Sequence, residues 1–154
     1  AAMGQISPDY YVQDGVIPRT KLPEVLREIE QLGEKHGYRV ANVFHAGDGN
    51  LHPLILYNNE VPGELEAVEA LGGDILKACV RVGGSISGEH GIGADKRCYM
   101  PEMFSAADLE TMQWVRGAVN KKSLANPTKI FPTPKTCGEA AHKAVGKFSD
   151  LESF

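Results

Sequence analysis

Cysteine is scarce: 3 occur in 154 residues, at Cys79, Cys98 and Cys137, and none stands in a Cys-x-x-Cys spacing. An odd number with that spacing announces neither a disulfide framework nor a cysteine zinc site, so free thiols in a reducing compartment are expected. Basic blocks are missing as well. With 16 Lys and Arg against 20 Asp and Glu the formal charge is −4, and no cationic stretch offers a nucleic-acid footprint or a polybasic membrane patch. No apolar run approaches the length of a membrane span, and Ala1-Ala2-Met3-Gly4-Gln5 does not lead from a charged segment into an apolar one. A soluble, cytoplasmic chain that binds no nucleic acid is the expectation. There is no repeat of fixed period, the length suits one hydrophobic core, and polarity rises after Pro134, which marks residues 135–154 as a peripheral polar tail.

What is present centres on His45-Ala46-Gly47-Asp48-Gly49-Asn50-Leu51-His52, between two apolar runs. A two-residue type I′ turn at Asp48-Gly49 would pair His45 directly with His52, put both on one face and hold their Cβ atoms about 4.5–5.5 Å apart. Two imidazoles so placed can reach one metal ion; a pair of polar histidines facing solvent is the plain alternative. The arms, residues 39–44 and 51–57, are apolar on both faces and suit central strands. Pro53 conflicts with that, since proline donates no ladder hydrogen bond.

Residues 10–17 are rich in strand formers, with a bulge or bend expected at Asp14-Gly15 and an end at Pro18. Leu22, Val25, Leu26, Ile29 and Leu32 form the stripe of a helix that has Pro23 in its first turn, His36 as a capping cation in its last, and Gly37 as its stop. Residues 64–82 read as a second helix, with Leu65, Val68, Leu71, Ile75, Leu76, Cys79 and Val82 on its stripe and Gly72-Gly73 weakening its middle. Ser105, with Asp108, can cap a third through about Lys121, burying Leu109, Met112, Val115 or the stem of Arg116, and Val119; Met112 and Trp114 are expected to pack. This order predicts an α+β fold: an antiparallel sheet with helices on one face, a ferredoxin-like split βαβ unit, and C-terminal helices.

A second stretch, residues 83–93, holds 5 glycines in 11 residues, suited to lying against something flat or anionic. It matches neither the dinucleotide nor the Walker spacing. Within it Glu89 and His90 are neighbours, and in extended backbone neighbours point to opposite sides, so Glu89 can bind metal while His90 faces a substrate. His45, His52 and Glu89 make a two-imidazole, one-carboxylate set that leaves coordination positions open; zinc suits it best, and manganese or iron are compatible. His90 would be free to accept a proton. A surface pair, a metal-binding module without catalysis and a metal-dependent hydrolase are the competing readings.

Asp14 with Ile17-Pro18, residues 40–53, residues 83–93 with Lys96, and Asn126-Pro127-Thr128-Lys129-Ile130-Phe131-Pro132 together resemble the C-terminal, substrate-side domain of FAD-linked oxidases of the vanillyl-alcohol oxidase type. The likeness covers residues 1–134 and is greatest to the members that oxidise glycolate; D-lactate and D-2-hydroxyglutarate dehydrogenases share the family. The resemblance implies metal ligands at His45, His52 and Glu89, a proton-removing base at His90, and positions near flavin and substrate at Asn50 and Lys129. It implies FAD as cofactor, mostly bound by an N-terminal FAD-binding domain that has no counterpart in this sequence. The chain therefore reads as a fragment, inactive alone, whose partners are that domain, a small 2-hydroxy acid and other subunits of an oxidase complex at the inner membrane. Val12 and Leu54 stand where the hydroxyglutarate branch carries a lysine and an asparagine, which points away from a dicarboxylate substrate.

Overall fold

The structure, a computed structural model, describes residues 3–132, and the expected tail at residues 135–154 lies outside them. Strands β1 (Asp9–Val12), β2 (Gly15–Val16), β3 (Val40–His45) and β4 (Asn50–Tyr57) form one antiparallel sheet, accompanied by helices α1 (Leu22–His36), α2 (Glu64–Arg81) and α3 (Ala106–Val119). β4 is central, with β3 along one side and β1 and β2 in succession along the other. Because β1 and β3 are both antiparallel to β4, they are parallel to each other, and α1 crosses between them. That is the expected split βαβ arrangement within an α+β fold.

Proline 53 sits in this central strand after all, and the sheet yields around it. β1 pairs Val12 with Leu54 and β2 pairs Gly15 with Leu51, so Gln13 falls opposite Pro53 and Asp14 opposite His52 with no residue inserted. The Gln13 N–H donates to the Pro53 carbonyl at 3.1 Å, but proline has no N–H to return. The expected bulge at Asp14-Gly15 is thus replaced by a gap in the ladder imposed from across the sheet.

Helices α1 and α2 cover the face that bears Tyr11, Leu51 and Ile55, burying Val25 and Ile29 from α1 and Val68, Leu71 and Ile75 from α2. Each such side chain stabilises the fold by roughly 1.5–3 kcal/mol. Gly37 ends α1 in the left-handed region at φ 80°. α2 continues through the Gly72-Gly73 pair, which makes room there, since a Cβ at Gly72 would lie 2.7 Å from Gln13 Nε2 and one at Gly73 2.2 Å from the Tyr99 hydroxyl. Cys79 is a buried core residue, and burial pushes its thiol up to about 12.

Ser105 and Asp108 form the capping box expected for α3. Leu109 and Met112 pack in a second cluster with Leu76, Ile86 and Met100. Trp114 and Val119 do not pack as expected, being 67% and 85% exposed, and of the alternatives Val115 and Arg116 it is Arg116 that is half-buried, because α3 lies at the periphery and presents only its Leu109 side to the core. Among the described residues no helix is long and apolar enough to cross a membrane. The sheet face opposite α1 and α2 stays open, with Tyr10 and Val43 about half exposed.

Candidate active site

The histidine hairpin lies on that open face. Its turn differs from the expected two-residue form: His45 pairs with Asn50, Val43 pairs with His52, and the His45 carbonyl accepts from both Asp48 and Gly49 N–H at 3.0 Å. The loop is therefore residues 46–49, and His45 and His52 are diagonal neighbours instead of directly opposed. They still share a face, because the register moves by two residues and the side-chain period in a strand is two. Their rings meet edge to face, with centroids 5.4 Å apart.

Glu89 comes to this pair from the glycine-rich loop, its Oε1 lying 3.1 Å from His52 Nε2. One ligand atom each from His45, His52 and Glu89 can be chosen so that all lie within 4.8 Å of one another. An ion between them is geometrically reasonable, and no further His, Cys, Asp or Glu joins the cluster among the described residues. His52 is buried and its Nδ1 has no hydrogen-bond partner, whereas His45 and Glu89 are exposed.

His90 stacks on His52, with ring centroids 5.0 Å apart and planes at 22°, and its Nε2 is 3.6 Å from Glu89 Oε1. The expectation that Glu89 and His90 point to opposite sides fails, for both line one cleft. The loop there is not extended. The N–H groups of Gly88, Glu89 and His90 all turn inward to the Asp14 carboxylate at 2.9–3.2 Å, and the Ser87 hydroxyl donates to it at 2.8 Å. Asp14 itself is fully buried. Burial works against its charge, but those N–H and O–H donors and the nearby Lys96 prevail and hold it down at about 2. Lys96 Nζ donates to the Asp14 carbonyl at 2.6 Å and lies 3.5 Å from the carboxylate; its burial pulls its own pKa down, against the pull of Asp14.

Two of this loop's glycines serve close approach to the chain itself. A Cβ at Gly84 would lie 1.9 Å from the Val16 carbonyl, and one at Gly88 2.6 Å from both Asn50 Oδ1 and Val16 Cγ2. The anion that the loop encloses is thus Asp14, a role its sequence position at a strand interruption did not reveal. An acid set in a run of strand formers was the available signal.

The cleft, about 450 Å³, has His45, His52, Glu89 and His90 on its polar side and Tyr10, Val12, Val43 and Leu54 on its apolar side. Val12 and Leu54 are cross-strand partners. Asn50 and Lys129 do not line it. Asn50 stands behind, its Nδ2 3.4 Å from His52 Nε2, and Lys129 is in a segment tied to the far end of the glycine loop by Ile130 N–H to Gly93 carbonyl at 2.7 Å.

Residues 1–130 match the family model described as FAD linked oxidases, C-terminal domain. The chain belongs to that family. It is 51% identical to glycolate oxidase subunit GlcD of Escherichia coli strain K12 over 99% of its length and 32% of the relative's. It is also 32% identical to the mitochondrial D-lactate dehydrogenase [cytochrome] 1 of Saccharomyces cerevisiae, over 82% of this chain and 21% of that one, and 36% identical to a D-lactate dehydrogenase of Archaeoglobus fulgidus, over 77% and 26%. The chain thus spans about a third or less of the length of these relatives.

Proposed function

We propose that this chain is the substrate-side part of a flavin-dependent 2-hydroxy-acid dehydrogenase acting on glycolate or D-lactate. The observation that carries the reading is the His45, His52 and Glu89 cluster with His90 stacked beside it in one cleft. His45, His52 and Glu89 would hold a divalent metal, zinc by donor chemistry with manganese or iron as alternatives, leaving positions open to a substrate. When bound, the metal polarises the substrate's oxygens and FAD takes up the hydride from Cα. His90 accepts the hydroxyl proton at a ring nitrogen, so that the C–H pair leaves as hydride, the O–H proton moves to the imidazole, and the C–O single bond becomes the carbonyl.

Val12 and Leu54 meet across the strand pair and give the cleft an apolar wall. A second carboxylate set against that wall would lose its hydration without gaining a partner, which favours a substrate with a hydrogen or methyl side chain. Asn50 and Lys129 would act near the flavin and the substrate. FAD would be held mainly by an N-terminal FAD-binding domain in the same polypeptide, and other oxidase subunits would supply any contact with the inner membrane. The chain alone is then expected to be inactive.

The test uses a polypeptide that carries both this chain and its FAD-binding domain. His90→Ala should slow flavin reduction by glycolate or D-lactate in a single turnover by about 10²- to 10⁴-fold while bound metal persists. Unchanged reduction kinetics would remove His90 from the chemistry, and a faster reaction with D-2-hydroxyglutarate than with either small acid would overturn the substrate class.

A further inference from the structure

We infer that Asp14 is the positioning residue of this site: its buried carboxylate is an internal anion around which residues 87–90 fold, and it thereby brings Glu89 to the histidine pair. This rests on the metal reading above. The loop meets the sheet with few apolar side chains, so hydrogen bonds must set its path. Four donors converge on one carboxylate, the Ser87 hydroxyl and three successive backbone N–H groups, at 2.8–3.2 Å. Successive N–H groups turned to one side make a concave anion site. Here the anion is covalently part of the neighbouring strand. Ser87 adds a second tie, since its hydroxyl oxygen accepts from Gly91 N–H at 2.8 Å.

The position of Asp14 follows from Pro53. Asp14 falls in the gap between β1 and β2, directly opposite His52 in the ladder register, so the residue that gathers the loop is across from the histidine that Glu89 must reach. Lys96 closes the arrangement from the other side of the loop, anchored on the Asp14 carbonyl at 2.6 Å. Asp14 touches neither substrate space nor the ligand atoms; it acts through the backbone of Glu89 and His90. A consequence is that the third ligand is placed by contacts within this chain, independent of any flavin-binding domain.

The experiment compares the wild-type chain with Asp14→Asn, with Ser87→Ala as the milder variant should Asp14→Asn fold poorly. Asp95→Asn serves as a control, because Asp95 accepts from the buried Tyr11 hydroxyl at 2.8 Å and is not among the groups that bind residues 87–90. Co(II) is titrated by chelator competition, its ligand-field spectrum is recorded, and amide exchange is followed with and without metal. Asp14→Asn should weaken Co(II) binding about 10- to 100-fold, the usual effect of removing a group that orients a ligand, and should shift the spectrum toward a two-histidine site. Ser87→Ala should do so to a lesser degree, and Asp95→Asn should do neither. Exchange at Gly88, Glu89 and His90 should accelerate in Asp14→Asn while Ile55 in the core stays protected. Unaltered exchange at those three amides would overturn the positioning role whatever the metal does. Accelerated exchange in Asp14→Asn, together with a wild-type chain that binds no Co(II), would leave the positioning of the loop standing and overturn the metal reading instead.

Discussion

Lowering the pH should remove a definite part of the stability of this fold, and Asp14 is the group responsible. In the folded chain its carboxylate is held at about 2, against an ordinary value of 3.8. Between those values the unfolded chain binds the proton and the folded chain does not, so acid favours unfolding. The stabilisation is fully present above the unfolded value, is lost as pH falls through the window from about 4 to about 2, and amounts to about 2 kcal/mol. Asp14→Asn has no such proton to take up. Urea unfolding of both proteins from pH 2 to pH 6 isolates the effect, because other carboxylates contribute equally to each. Near pH 6 the variant should be less stable by about 3 kcal/mol, since the buried Lys96 then loses its nearest counter-ion. That difference should shrink by about 2 kcal/mol as pH approaches 2. A difference that stays constant over the whole range would mean that Asp14 is not held ionised by its donors, and the account of the loop's internal anion would fail with it.

Two further substitutions probe how the loop and the segment beside it are seated. Gly88→Ala places a Cβ 2.6 Å from Asn50 Oδ1 and Val16 Cγ2, so it should lift the loop from the sheet, destabilise the chain by about 1–3 kcal/mol in thermal unfolding and weaken zinc binding at least about tenfold; wild-type zinc affinity would contradict the close approach. Thr128 is a β-branched residue at φ 64°, a conformation that costs an L residue about 1–2 kcal/mol, so Thr128→Gly should raise the urea midpoint by an amount worth up to about 1 kcal/mol after glycine's own entropic cost, and a lowered midpoint would show that the strain is absent.

The helices were legible because their signals are local. The stripe through Val25 and Ile29, Pro23 near the start of α1 and Gly37 after it, and the Ser105 to Asp108 capping box each act within one or two turns of chain. What was not legible depends on residues distant in sequence. The gap between β1 and β2 looked like a consequence of Asp14-Gly15 and is instead imposed by Pro53, about 40 residues later. Gly72-Gly73 read as a weakness in α2 because the sequence does not show Gln13 and Tyr99 pressing on that spot. Trp114 read as packed for a related reason: the period of α3 marks a face but does not say how much of it another element covers.

Why His45 and His52 share a face although the expected turn was wrong is a matter of parity. The two-residue turn paired His45 with His52, whereas the fold pairs His45 with Asn50, and these registers differ by two. Had the loop differed by a single residue in the pairing, His52 would have gone to the face packed by α1 and α2, where Leu51 and Ile55 now lie, and those two would have faced the cleft. The apolar residues on the helix side therefore hold the histidines on the open side, since no odd shift can expose one set without burying the other. Glu89 has no such protection. It sits in a loop without a repeating side-chain period, and nothing in its own neighbourhood specifies where its carboxylate goes. That is settled by Asp14, a residue 75 positions earlier in the chain, which gathers the loop's N–H groups and leaves Glu89 Oε1 3.1 Å from His52. The hairpin thus depends on hydrophobic patterning and the loop on one buried charge, so a single substitution at Asp14 can separate Glu89 from the histidines while leaving the pair intact.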